Sequence, residues 1–385
     1  MEGVDILSPQ GRAALEAASA EPDPTSVGAG ERMRRQFPPE LAADALTQVS
    51  LRRRAKQKLP RAGEMFLTST GLEQATRWNV AQWRARIFAG AGVREVWDLG
   101  CGLGADTMAF ADAGLEAHGV EADPLTASFA TANLALVGGP AVVQGLAEEI
   151  EVPEGAGVFL DPARRTARGR TWDVGDFTPP WSVVTGYLSG PHFTCVKLGP
   201  GLPKELIPDG VAATWVSDGG SVVEVSLWNR RPPGRSAVVS PRSGGAPIEL
   251  RAPEALRELP VADVGRYLIE PDNAVVRSGL VTEIAPDHDL WLLDPHIAYL
   301  SSDEPLESPL AQCFEVTAVL PHDLKAIRTH LRDNRIGNLE IKLRGIDVDP
   351  AELRRRLKPH GPGIATLILS RTPRGAVAVM ARRVT

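Results

Sequence analysis

The sequence predicts an α/β protein: a doubly wound, mainly parallel sheet, with a helical segment before it and a small α+β domain after it. Three observations predict this. Strand-length apolar runs alternate with helical patterns from about residue 73 to 232, the order that builds a parallel sheet. A glycine-rich turn, Asp98-Leu99-Gly100-Cys101-Gly102-Leu103-Gly104, joins the first of these strands to a helix. Beyond about residue 314 the order becomes strand, helix, strand, helix, strand, strand, which fits one sheet carrying two helices.

Residues 1–72 read as helical. Pro38-Pro39 precede an apolar-periodic stretch through Leu41, Ala45, Leu46 and Val49, which ends in a basic run at 52–58. Pro9, Pro22, Pro24, Gly28 and Gly30 break the earlier part into short pieces, so an appendage packed on the next domain is expected. The domain at 73–232 opens on a helix expected from Leu72 to Phe88. It continues with strand 96–99, helix 105–113, strand 117–120, helix Pro124 to Leu136, and strands 141–143, 157–160 and 193–197, then a β-rich end at 212–228. The last domain, 233–385, begins in a Pro-, Gly- and Arg-rich stretch that suits a linker or hairpin. Its end reads as strand Phe314 to Val319, helix Leu324 to Asp333, strand Leu339 to Leu343, helix Pro350 to Leu357, and strands Ala365 to Ser370 and Ala376 to Ala381.

The stretch from Val96 to Glu121 points to chemistry: strand, glycine turn, helix, strand, acid. Glycines let the backbone turn tightly and approach a ligand, and the N–H groups of the new helix face its negative end. Gly100-x-Gly102-x-x-Ala105 also satisfies a relaxed dinucleotide fingerprint, with Glu121 at about the right distance for a ribose. Against a dinucleotide, Asp98 would lie close to a pyrophosphate and repel it, whereas a ligand with an amino group and a sulfonium would welcome that carboxylate. No Tyr-x-x-x-Lys follows the turn.

The net charge of −6 weighs against nonspecific nucleic-acid binding, although cations cluster at 32–35, 52–58, 164–170 and 354–358. Cys101, Cys195 and Cys313 are isolated, which points to a reducing cytoplasm and away from a structural zinc site. The seven histidines show no ligand spacing, so no metal is expected. No apolar run approaches the length of a membrane span, and the N-terminal residues lack the pattern of a signal peptide.

A second motif, Phe159-Leu160-Asp161-Pro162-Ala163-Arg164-Arg165, falls at the expected end of the fourth strand, where a doubly wound sheet opens onto its cleft. With it in place, the order of motifs resembles the class I S-adenosylmethionine (SAM)-dependent methyltransferases, whose sheet is Rossmann-like. The whole chain is similar to a bacterial group of these with a C-terminal THUMP-like domain. The resemblance is carried by 72–85, 98–114, FLDPARR at 159–165, KLGPGLPKELIP at 197–208 and IKLRGIDVDPAELRRRLKPHG at 341–361.

The resemblance implies SAM as cofactor, held by Asp98, Gly100, Gly102 and Gly104, with Glu121 on the ribose hydroxyls and Glu148 near the adenine. It implies Asp161 and Pro162 as the catalytic pair and RNA, transfer or ribosomal, as partner. In many nucleic-acid methyltransferases the equivalent loop is an acid or amide followed by Pro-Pro-aromatic. Here Ala163 replaces the second proline and Arg164 the aromatic, and Arg164 and Arg165 better suit a phosphate or carboxylate. The alternatives are a methyltransferase for a small molecule or protein, and a SAM-binding protein that has lost catalysis.

Overall fold

Helices α1 (Pro9–Ser19), α2 (Val27–Arg34) and α3 (Pro39–Ala55) come first in the computed structural model. The hydroxyls of Ser8 and Ser26 accept the N–H of Gly11 and Ala29, satisfying donors that a helix start leaves open. The structure describes residues 4–164, 173–241 and 245–384. They form two compact units, Met1–Ala213 with Glu224–Pro233, and Thr214–Val223 with Gly234–Thr385.

In the first unit the expected helix from Leu72 to Phe88 is two helices, α4 (Ser69–Gln74) and α5 (Trp78–Gly90). Ala75 and Arg77 adopt extended ψ angles of 139° and 137°, and between them the Thr76 hydroxyl donates to Asp106. No local signal marks that break; a tertiary bond does. The chain then alternates through β1 (Glu95–Leu99), α6 (Ala105–Asp112), β2 (Glu116–Glu121), α7 (Pro124–Leu134), β3 (Val143–Gln144) and β4 (Gly157–Leu160). It continues through β5 (Ala163–Arg164), β6 (Phe177–Thr178), α8 (Trp181–Ser189) and β7 (Phe193–Leu198); β8 (Ala212–Asp218) then passes into the second unit at Thr214, and β9 (Ser221–Trp228) returns to the first at Glu224.

Across the first unit the strands lie in the order β9-β7-β4-β1-β2-β3. From β7 to β3 every pair is parallel, and β9 runs antiparallel to β7. The third strand is shorter than expected and shifted: it pairs only Val143 with Val120 and Gln144 with Glu121. The N-terminal helices and the turn after α3 bury Leu15, Leu41, Leu46 and Leu59 in one core with Leu103, Met108 of α6, and Phe129 and Leu134 of α7. Asn133 secures this packing: its amide donates to the carbonyls of Phe66 and Leu103 (3.0 Å each) and accepts the Phe66 N–H (2.7 Å).

The second unit holds β10 (Gly234–Ser240) and β11 (Ile248–Arg251), which pair antiparallel within the stretch expected as a linker or hairpin. After them come β12 (Tyr267–Pro271), α9 (Asn273–Ser278), β13 (Trp291–Asp294), β14 (Ile297–Ser302) and β15 (Ala311–Pro321). Helix α10 (Leu324–Asp333), β16 (Ile336–Leu343), α11 (Pro350–Leu357), β17 (Gly363–Thr372) and β18 (Gly375–Arg383) complete it. The sheet order is β13-β14-β12-β15-β18-β17-β16, antiparallel except for β16 and β17. Ile327 and Leu331 of α10 and Leu353 and Leu357 of α11 pack with Leu339, Leu367 and Met380 of the sheet. Leu293-Asp294-Pro295-His296 turns the chain from β13 to β14, with Asp294 accepting the His296 N–H (2.8 Å).

Candidate active site

The turn after β1 is held to the next strand, since the N–H groups of Gly100 and Cys101 both donate to the Val120 carbonyl (2.9 and 2.8 Å). Gly100, Gly102 and Gly104 have φ of 98°, 56° and 81°, a region that L side chains rarely adopt. A Cβ at Gly100 or Gly102 would meet no atom within 4 Å, whereas at Gly104 it would lie 2.5 Å from Leu134 Cδ1. The first two glycines therefore face open space, and the third lets α6 pack against α7.

That space is a cavity of about 300 Å³ lined by Gly100, Gly102, Glu121, Glu148 and Asp161. Glu121 accepts the N–H of Gly102 on one oxygen (3.0 Å) and of Asp123 on the other (2.9 Å). Glu148 is exposed, on a short 3-10 turn at Ala147–Glu149. Gly104, Pro162 and Asp98 are not among the cavity-lining residues. Asp98 is 1% exposed; its Oδ2 accepts the Thr107 hydroxyl (2.6 Å) and its Oδ1 has no partner among the described residues. Burial, with Asp106 nearby, pushes its carboxyl well above the ordinary range. Arg164 contributes backbone to β5, paired with Phe177, and Arg165, Arg168, Arg170 and Trp172 lie outside the described residues. Trp181 packs on Phe177, ring centroids 5.3 Å apart.

Other lining residues are not singled out one by one in the sequence, although Gln74 and Thr76 fall in the 72–85 stretch that carries the resemblance. Thr68 caps α4, Gln74 ends it and Thr76 lies in the break after it; Leu146 comes from the segment after β3, Thr178 from β6 and Pro179 from just beyond it. Asp106, also on the lining, belongs to a charged cluster: Arg84 of α5 pairs with Asp106 and with Glu224 of β9, and stacks over Phe159 at 4.4 Å. Burial opposes the Glu224 charge, but Arg84 and Lys197 outweigh it and hold the carboxyl below its ordinary range. Asp161, at the end of β4, pairs with Lys197 of β7. Burial, the largest single effect, would lower the Lys197 ammonium, but Asp161, Asp106 and Glu224 together outweigh it and hold it above its ordinary value. Lys58 donates to the carbonyls of Leu72 and Glu73 (2.7 and 2.9 Å) and is lowered to about 8, by burial first and then by Lys197 and Arg77.

A glycine turn opening a helix, an acid ending the next strand, and a cavity at the carboxyl ends of parallel strands form the layout of α/β proteins that take a nucleoside. The chain belongs to the S-adenosylmethionine-dependent methyltransferases: it is 33% identical over 343 residues to an uncharacterised member in two strains of Mycobacterium tuberculosis, covering 85% of this chain and 92% of the relative. SAM is thus the cofactor. Residues 311–383 match the THUMP domain-like family, and residues 4–55 match a domain of unknown function. The crystal structure of a protein from Porphyromonas gingivalis W83 classed as a methyltransferase shares the fold, with a TM-score of 0.75 at 20% identity over 97% of this chain and 98% of that one.

Proposed function

We propose that the enzyme methylates a base of transfer or ribosomal RNA, with Asp161 orienting the acceptor. The observation that carries this reading is that one cavity is lined both by the glycine turn with Glu121 and by Asp161, Ala163, Thr178 and Pro179. The THUMP domain-like match supports RNA, because THUMP domains bind RNA and present it to an attached modifying domain.

The residues fit the cofactor. Glu121 keeps lone pairs for the ribose hydroxyls beyond the two N–H groups it already accepts. Gly100 and Gly102 leave room where a Cβ would intrude, Leu146 and Glu148 suit the adenine, and the partnerless Asp98 oxygen suits an amino group. Bound SAM supplies a methyl made electrophilic by the sulfonium. The chain's contribution is alignment, and effective molarities for well-oriented reactants reach about 10⁵ M or more. The Asp161 carboxylate, held by the Lys197 ammonium, would accept a hydrogen bond from the acceptor N–H or O–H, so orienting the acceptor atom's own lone pair toward the methyl, and is the group that would take the proton released on transfer. Pro162 fixes the backbone after Asp161, and Arg164 and Arg165 supply guanidinium groups for a neighbouring phosphate.

The test is transfer of a tritiated methyl from SAM to separated RNA, protein and small-molecule fractions of a bacterial cell. Label is expected in RNA and lost in Asp161→Ala, which should still bind S-adenosylhomocysteine. Label confined to protein or small molecules would replace RNA as the acceptor. A protein that binds S-adenosylhomocysteine but labels no fraction would be a binder, not a catalyst.

A further inference from the structure

The cavity at the glycine turn is lined by four acids, Asp106, Glu121, Glu148 and Asp161, and, among the described residues, by no lysine, arginine or histidine. Glu121 faces the ribose, Glu148 the adenine and Asp161 the acceptor in the function proposed above. Asp106 is left without a part. It also differs from the others in burial: it is 6% exposed, whereas Glu121 and Asp161 are half-buried and Glu148 is exposed.

The Asp106 carboxylate is clamped from two sides. Arg84 pairs with its Oδ1 and the Thr76 hydroxyl donates to its Oδ2. Each carboxylate oxygen has two lone pairs, so accepting capacity remains on the cavity side. Its charge, however, is incompletely compensated. Arg84 divides its guanidinium between Asp106 and Glu224, and Lys197 pairs with Asp161, so these three carboxylates share two cations. Lys58, whose ammonium feels Lys197, spends its bonds on the carbonyls of Leu72 and Glu73 instead. Burial outweighs Arg84, Lys197 and the Thr76 hydroxyl and leaves the Asp106 carboxyl above its ordinary range. A buried carboxylate short of a counter-charge is costly, and the cavity is the side from which a further cation can arrive. Asp98 also suits a cation through its partnerless oxygen, but it is 1% exposed and not on the lining.

We propose that Asp106 is the carboxylate that takes the α-amino group of the methionine end of SAM, with Thr76 and Arg84 as its positioning residues, an inference that rests on this cavity being the cofactor site. The ammonium supplies the positive charge that the cluster lacks, through a charge-assisted hydrogen bond. The two bonds already on the carboxylate fix the direction of its remaining lone pairs. The contact that separates α4 from α5 thereby aims an acid at the ligand, and the N-terminal segment takes part in reading the cofactor's tail.

The experiment titrates the full chain calorimetrically with three ligands: S-adenosylhomocysteine, its analogue with hydrogen in place of the α-amino group, and methylthioadenosine, which lacks the amino-acid tail. The wild type should bind S-adenosylhomocysteine at least about tenfold more tightly than the deaminated analogue, the size of one hydrogen bond to a charged group. Asp106→Asn should lose at least about tenfold in affinity for S-adenosylhomocysteine and bind the other two ligands at the wild-type level, so that the preference for the amino group collapses. Thr76→Val leaves the Arg84 pair in place and should weaken S-adenosylhomocysteine by a smaller factor while sparing methylthioadenosine; it decides the matter if Asp106→Asn does not fold. A wild type indifferent to the amino group, or an Asp106→Asn chain that keeps the preference, would overturn the inference. Equal weakening of all three ligands by Asp106→Asn would do so too, by showing that Asp106 serves the fold alone. A wild-type chain that binds neither S-adenosylhomocysteine nor methylthioadenosine would remove the cavity as cofactor site and this inference with it.

Discussion

Long cations show at the residue scale how little a basic run says by itself. The 52–58 run reads as a solvated face or a nucleic-acid patch, yet Arg52 and Lys58 are anchored on carbonyls and hold the N-terminal helices to the cavity rim. Asp98 is the converse, a residue that the sequence singles out and whose burial it does not reveal. Its carboxyl is raised by burial, so the folded state retains a proton that the unfolded chain loses near pH 3.8. Its contribution to stability is therefore lost as pH rises from about that value through the folded one. Asp98→Asn keeps an acceptor for Thr107 and removes the buried charge. Melting measured from acid to neutral pH should show this variant gaining on the wild type as pH rises, while calorimetry shows weaker S-adenosylhomocysteine binding. A gap that does not change with pH would contradict the burial argument.

At the scale of elements, the parallel strands and α10 and α11 were legible because each carries a local signal. Strands β1 and β4 are compact apolar runs, and Asp323 and Asp349 cap α10 and α11, with Pro350 at the first position of α11. The break between α4 and α5 was not legible, because the Thr76 to Asp106 bond that holds it spans 30 residues. Strands β12 to β14 also escaped notice, being short and set among prolines and acids. The glycine turn was read as one motif, but its members differ in kind. Gly104→Ala forces a Cβ onto Leu134 at a positive φ and should cost about 1–3 kcal/mol of stability in denaturant unfolding. Gly102→Ala meets nothing in the protein, so its stability loss should be the smaller of the two and its loss of S-adenosylhomocysteine affinity the larger. Equal effects of the two variants on affinity would show that both glycines act through packing.

For the whole molecule, ligand linkage gives a further check: S-adenosylhomocysteine at about a hundred times its Kd should stabilise the fold by about 2.7 kcal/mol, read as a rise of several degrees in the melting midpoint. No rise would mean that the cavity between the glycine turn and Asp161 does not hold the cofactor. The Arg84 cluster bears on how such a fold is made. Chain synthesis delivers Arg84 and Asp106 early, but Glu224 is the first residue of the first unit's returning segment, after the excursion at Thr214–Val223. A nascent chain ending at Ala213 has a buried guanidinium short of one carboxylate and a β7 edge still without β9, and breaking a buried ion pair costs about 3–5 kcal/mol. The Arg84 cluster is therefore complete only once the turn between β8 and β9 has been synthesised.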